Sequence, residues 1–368
     1  MNKNYLLLSA VLSVLLMTSC SSSDTEEGTI TKGNPAVVNL QLNGKSITRS
    51  TPSDNEKYIK EGQAAAFDLS GSIVGTVQSF LTSTSATPTI STTTQATQVS
   101  VVANPGSTST FTSIVNKTNL EEKTTDLAST ATSPTAPNSQ DEKKLPKYGN
   151  ATLTFGTGSN STATVDMYNL VGKITLSSIK TNFTGTGYEG ATFTPKEIFL
   201  YNANTVSTFG GVGSSPQSGE NTDKIGTYAV ASPANSYCYL SSGSISSYNE
   251  TTPTPYTFYT FPNTSATTPT KLVIKGAFKP KDGDPTAVYY PITINKLQTN
   301  TTIKKNGEDR PANDENDSKI VKSTSYEVII TISGKGMDNP GKDITPSEAT
   351  ITMNVKDWTD YTQEVTVK

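Results

Sequence analysis

No histidine occurs in the 368 residues. Its absence removes the commonest general base, the commonest metal ligand and every Ser-His or Cys-His nucleophile arrangement. Cysteine is almost as scarce, with only Cys20 and Cys238, and Trp358 is the single tryptophan. Charged residues make up 17% of the chain and the net charge is -3, which gives no electrostatic case for nucleic acid as a partner. No P-loop is present: "GTGSNS" (156–161) is a serine-rich turn without the strand-to-helix context of a phosphate cradle. A glycosidase built on two carboxylates needs no histidine. Here, however, Asp and Glu gather in loops such as "NGEDRPANDENDSK" (306–319), where solvation accounts for them. That loop and "KPKDGDP" (279–285) carry oxygen ligands for calcium, but neither has EF-hand spacing. The expectation is a chain with no catalytic residue, no cofactor and no metal.

What is present begins with a signal. Lys3 supplies positive charge, residues 6–17 are apolar, and "LMTSC" (16–20) follows. The apolar run falls short of the ~20 residues that span a bilayer, so residues 1–19 read as a signal peptide. Thr18 and Ser19 before Cys20 resemble the lipobox of bacterial lipoproteins, which implies diacylglycerol on the Cys20 sulfur, cleavage that leaves Cys20 as the new N-terminus, palmitate as a fatty acid of the lipid anchor, and attachment to the outer membrane. "SSSDTEEG" after it is an acidic tether unable to bury apolar area. With Cys20 lipidated no intramolecular disulfide is left, and Cys238 in "NSYCYL" reads as a buried, inert thiol.

The remainder is rich in Thr and Ser at 33% hydrophobic content, which suits β-sheet. Val38, Leu40 and Leu42 alternate with Asn39 and Gln41, the pattern of a half-buried strand. A polar stretch with Lys45 and Arg49, open to a trypsin-like protease, follows directly. "AAAFDLSGSIVGTVQSFL" predicts a strand and a turn, and "QATQVSVVANPG" a strand closed by Pro105-Gly106. Residues 108–129 are the one helical candidate, with Thr118 or Asn119 capping a turn that carries Glu121 and Glu122. "GNATLTFGTG" ends a first half near Gly158. Beyond it Val171, Ile174, Leu176 and Ile179 mark a strand. "FTPKEIFLYNA", "SYCYLSS", "YTFYTFP", "TKLVIKGAFKP" and "AVYYPITINKL" follow, each short and bounded by turn residues. Such runs predict antiparallel sandwiches. Near the end Ile351, Met353 and Val355 alternate with Thr350, Thr352 and Asn354, and "QEVTVK" closes the chain. This tail has the same register of apolar and polar residues as Val38, Leu40 and Leu42, so either segment could fill the same groove.

The ordered segments resemble the fimbrillin family, the subunits of type V pili on Gram-negative bacteria. The tail carries most of the resemblance, through Tyr326, Gly334, Gly336, Asn339-Pro340, Ile344-Thr345, Ser347 and Trp358. "VVANPG" with its Asn-Leu-Glu-Glu segment, "FTPKEIFLYNA" and "VIKGAFK…YYPITIN" extend it over most of the chain from Val37. Where the family often has Arg-Asn before the tyrosine, this chain has Lys322-Ser323.

The resemblance implies an all-β protein of two transthyretin-like antiparallel sandwiches, with one short helix in the first. The expected division is residues 20–49 as lipidated propeptide, 50–158 and 159–368 as the two domains, and 345–368 as a donor segment. It also implies surface export and cleavage after Arg49 by an Arg-specific protease, with Lys45 as a second site. The removed strand of Val38, Leu40 and Leu42 would then be replaced by a neighbour's tail. The donor is either 349–355 (Ile351, Met353 and Val355, ending near Trp358) or 363–368. Partners on this reading are other pilin subunits, the outer membrane through the precursor's lipid, and a host receptor in adhesion. Two alternatives stay open: an accessory tip or anchor pilin, and a surface lipoprotein binding glycans through Tyr256, Phe258 and Tyr259.

Overall fold

Alternating apolar and polar residues in short runs leave this sequence few options besides strands, and strands are the dominant regular structure among the described residues. The computed structural model describes residues 33–44, 54–82, 87–106, 111–133, 136–211, 213 and 240–357. Cys20, Lys45, Arg49, Cys238, Trp358 and residues 363–368 lie outside them.

In chain order the first strands are β1 (Pro35–Gly44), β2 (Glu61–Phe67), β3 (Gln78–Leu81), β4 (Thr89–Thr93) and β5 (Gln98–Ala103). Next come β6 (Thr124–Asp126), β7 (Ala131–Ser133), β8 (Ala136–Gln140), β9 (Lys147–Thr152) and β10 (Asn160–Asn169). The second half supplies β11 (Gly172–Thr181), β12 (Thr192–Tyr201), β13 (Val206–Thr208), β14 (Tyr256–Thr260) and β15 (Lys271–Lys279). It ends with β16 (Thr286–Thr293), β17 (Thr301–Lys305), β18 (Glu308–Asp309), β19 (Thr324–Ile332) and β20 (Ala349–Asp357). Two short helices interrupt them among the described residues, α1 (Asp54–Lys57) and α2 (Lys117–Glu121).

One seven-stranded sheet runs β3-β2-β5-β9-β10-β1-β4. Its strand β2 is buried on both faces. Ala64 and Ala66 join an apolar cluster with Val38, Leu40, Ile90, Val165 and Met167, while Ala65 and Phe67 join a larger one shared with the second half. There a six-stranded sheet, β14-β11-β19-β20-β17-β18, faces a three-stranded one, β12-β15-β16. Ile174, Leu176, Val328, Ile330, Ile351 and Met353 meet Phe193, Ile198, Leu272, Ile274, Tyr290 and Ile292 between them. That is a sandwich core, with each strand giving alternate residues to the interior.

Two expectations need correction. Residues 108–129 do not form a helix beyond α2, whose cap is Asn116, accepting the Asn119 N–H at 2.8 Å, not Thr118 or Asn119. The β-branched Thr124 and Thr125 are drawn instead into pairing with β13. The helices number two among the described residues, not one. β10 belongs to the first sheet, and the passage from the first sheet to the second falls between Asn169 and Gly172. Its alternation of Ser161, Ala163, Val165 and Met167 marks a half-buried strand without saying which sheet takes it. The uneven spacing of Ile174, Leu176 and Ile179 has a simple cause, a register shift between Leu176 and Ser178 that returns Ile179 to the inner face.

The tail strand is seated within its own chain. β20 pairs antiparallel with β19 over nine residue pairs and parallel with β17 over five. Ile351, Met353 and Val355 are buried there, in the core that the three-stranded sheet covers. Ile351→Ala is expected to destabilise the uncut monomer by about 2–5 kcal/mol, read from its denaturant midpoint.

Candidate functional site

β1 is an inner strand of the first sheet. It pairs parallel with β10 from Val37↔Asn160 to Gly44↔Met167, and antiparallel with β4 from Pro35↔Thr93 to Asn39↔Thr89. The Val38 and Leu40 side chains are fully buried and Leu42 packs half-buried against the same cluster. Ala36, passed over in the sequence because alanine is a weak apolar signal, is buried beside them. The seat is lined by Ile90, Leu153, Ala163, Val165 and Met167. Polar contacts close it at both ends: Asn34 and Thr94 exchange bonds (Thr94 N–H to Asn34 O, 2.9 Å; Asn34 N–H to Thr94 Oγ1, 3.0 Å), and Asn43 donates to Asp166 Oδ1 at 3.3 Å.

The two sides of β1 are unequal. Its pairing with β4 stops at Asn39, after which the Leu40 N–H donates to Pro88 O at 2.8 Å. From Gln41 to Gly44 the ladder partner is β10 alone among the described residues. The end nearest Lys45 and Arg49 is therefore the less held one.

Where the chain resumes, α1 carries a residue the sequence reading missed. Glu56 is completely buried. Its Oε1 accepts from Lys173 Nζ at 2.6 Å and from the Tyr259 hydroxyl at 2.7 Å, and that hydroxyl also lies 3.0 Å from Glu142 Oε1. Burial pushes the Tyr259 hydroxyl far above the ordinary tyrosine range, and Glu56 and Glu142 add to the effect. Close by, Lys147 is also fully buried, its amine donating to Leu145 O at 3.1 Å. Burial pushes this lysine down to about 7, against the pull of the Glu56 charge. No periodic pattern announces such a cluster, because its members lie on α1, β9, β11 and β14, far apart in sequence.

Other sequence-stated candidates resolve differently. Phe258 and Tyr259 are buried and Tyr256 is partly buried, so the aromatic ledge for a glycan is absent and these rings are sheet packing. In the 306–319 loop, Asp317 faces Arg310, which donates to Asn295 O at 2.7 Å, and Asp314 lies 3.8 Å from Lys305. Those carboxylates are matched to protein cations.

No family model and no curated protein matches the sequence. Solved structures do match. A candidate cell adhesion protein from Bacteroides eggerthii aligns with a TM-score of 0.61 at 22% identity, covering 90% of this chain and 100% of its own. A fimbrilin from Porphyromonas gingivalis gives 0.57 at 17% identity, covering 89% and 99%. A candidate cell adhesion protein from Parabacteroides distasonis gives 0.58 at 16% identity, covering 90% and 99%. At these identities the likeness is one of fold: the chain has the β-sandwich architecture of the fimbrilin and adhesion structures over nearly its whole length.

Two outcomes test this site. Leu40→Ala is expected to cost about 2–5 kcal/mol of stability in the uncut protein, measured by denaturant unfolding. For Lys147, the unfolded chain binds a proton that the folded chain lacks between about pH 7 and the ordinary lysine value of 10.5. Stability therefore rises with pH from about 7 toward 9 and is lost as pH falls back, and Lys147→Met removes this slope in melts across that window.

Proposed function

We propose that the chain is a structural subunit of a cell-surface pilus, exported as a lipoprotein through Cys20, cut after Arg49 and polymerised by donor-strand exchange. The observation that carries this reading is β1 itself: a buried inner strand, joined to the rest of the fold through residues 45–53, which hold both Lys45 and Arg49. Taking β1 away leaves β10 and β4 with unpaired backbone groups and the apolar cluster open to water. An edge of that kind recruits another strand.

Magnitudes favour a replacement strand. Burying Val38 and Leu40 is worth about 1.5–3 kcal/mol each, with Ala36 and Leu42 adding to it. Ladder hydrogen bonds contribute roughly 0.5–1.5 kcal/mol each. A donor of about seven residues reaches roughly 23 Å, enough for a sandwich strand. On this reading the donor is the chain beyond β20, where Val365 and Val367 alternate with Thr366 and Lys368; the pairing of β20 with β19 and β17 in its own chain supports that choice. Head-to-tail exchange joins two different surfaces and need not close, so it yields filaments. The cut also separates the subunit from its lipid, so an uncleaved copy would stay on the outer membrane. The partners are other pilin subunits and an Arg-specific protease, and the role is adhesion at the cell surface. The fold shared with fimbrilin and adhesion structures supports this reading.

The test is limited digestion of the full chain with an Arg-specific protease. The expected products begin at Ser50 and form ladders that resist SDS, while Arg49→Ala with Lys45→Ala stays monomeric. Complete cleavage at Arg49 that yields only monomer would overturn the proposal.

A further inference from the structure

The first sheet is held together unevenly around β10. This strand shares eight residue pairs with β1 but two with β9, Tyr148↔Tyr168 and Lys147↔Asn169. Loss of β1 therefore removes most of the β10 ladder, and a strand left with few partners opens easily. Yet if strand exchange occurs as proposed above, β10 has to stay in place, because Val165 and Met167 form the apolar wall that the incoming strand covers. Something besides the ladder has to hold it.

The surviving pairs end at the buried polar cluster. Asn169, completely buried, donates its carboxamide N–H to the Glu56 backbone oxygen at 3.3 Å. The Glu56 carboxylate reaches on to Lys173 at the start of β11 and to Tyr259 on β14. A few residues later Asn104 ties down the same segment: its Nδ2 donates to Tyr58 O at 2.9 Å and to Leu145 O at 3.1 Å, and its Oδ1 accepts the Lys60 N–H at 2.9 Å. Residues 54–60 are the first described residues after the cut site, and a break at Arg49 leaves them joined to the body of the protein. They are anchored to both halves of the molecule and to the last residue of β10.

We propose that residues 54–60 act as a clamp that keeps β10 seated after β1 has been cut away, with Glu56 and Asn104 as its positioning residues. The inference rests on the strand-exchange reading for its purpose, but not for its geometry. Before cleavage β1 supports β10 directly and the clamp is redundant for that strand. After cleavage it becomes the main hold, through a buried carboxylate whose removal leaves Lys173 without its partner.

Two readouts on the full chain, before and after Arg-specific cleavage, separate the ideas. One is uptake of a labelled peptide with the β1 sequence PAVVNLQLNG; the other is amide hydrogen exchange across residues 165–169. Wild-type protein, once cut, is expected to take up the peptide and keep those amides protected. Glu56→Gln and Asn104→Gly (the glycine tolerates the positive φ of 49° at that position) should match wild type while uncut. After cutting they should lose protection and bind the peptide about tenfold more weakly, as expected when only about a tenth of the molecules hold β10 in place. Glu56→Asp should restore part of both. If Glu56→Gln fails to fold before cutting, Asn104→Gly carries the comparison. Variants that stay protected and bind like wild type after cutting overturn the clamp. Should cut wild type take up no peptide, the strand-exchange reading fails, and amide protection alone then decides the clamp: protection kept in wild type and lost in the variants supports it, and equal protection refutes it.

Discussion

The structure depends on one strand, β1, which precedes the polar, basic residues 45–53 in the chain. β1 fills the seat between β10 and β4, and its Val38 and Leu40 join Ile90, Val165 and Met167 in one apolar cluster. A buried inner strand is an ordinary means of closing a sheet. What is unusual is the polar, basic stretch on one side of it, and a ladder that thins to a single partner as it nears that stretch. Hydrophobic burial makes the seat strong when full and costly when empty, and that asymmetry is what the proposed assembly uses.

The second constraint is electrostatic. Glu56 and Lys147 are both completely buried, and neither would be tolerated alone, since an isolated charge in a core is expensive. They persist because Lys173, Tyr259 and the Leu145 carbonyl provide partners, and because Lys147 gives up part of its charge near neutral pH. Such a network adds little net stability compared with apolar packing, but it fixes which segments meet. Here it gathers α1, β9, β10, β11 and β14 at one place where the first sheet gives way to the second. At Gly149 a Cβ would collide with the Asp166 carbonyl, so β9 and β10 also owe their close approach to a missing side chain.

In the second half the same alternation of apolar and polar residues builds the tail strand into a sheet. β20 lies between β19 and β17, and its apolar residues reach the core that the three-stranded sheet covers. That is why its likeness in pattern to β1 does not make the two interchangeable. Val38, Leu40 and Leu42 on one side, and Ile351, Met353 and Val355 on the other, repeat with the same period of two. Period alone carries no information about which neighbours a strand will find.

Residues close in sequence determined a good deal by themselves. Alternation over two residues announced β1, β5, β12, β15, β16, β19 and β20, because the pleat sends successive side chains to opposite faces. The absence of histidine set aside most catalytic chemistry. The basic residues after β1 were also plain to read. Tertiary structure alone decided the rest. It assigned β10 to the first sheet, through a parallel partner more than a hundred residues upstream; it buried Phe258 and Tyr259; and it drew Glu56, Lys147, Lys173 and Tyr259 into one cluster. The reason is the range of the forces. Backbone geometry and side-chain alternation act between near neighbours, whereas strand pairing and the pairing of buried charges depend on which distant segments the closed fold brings into contact.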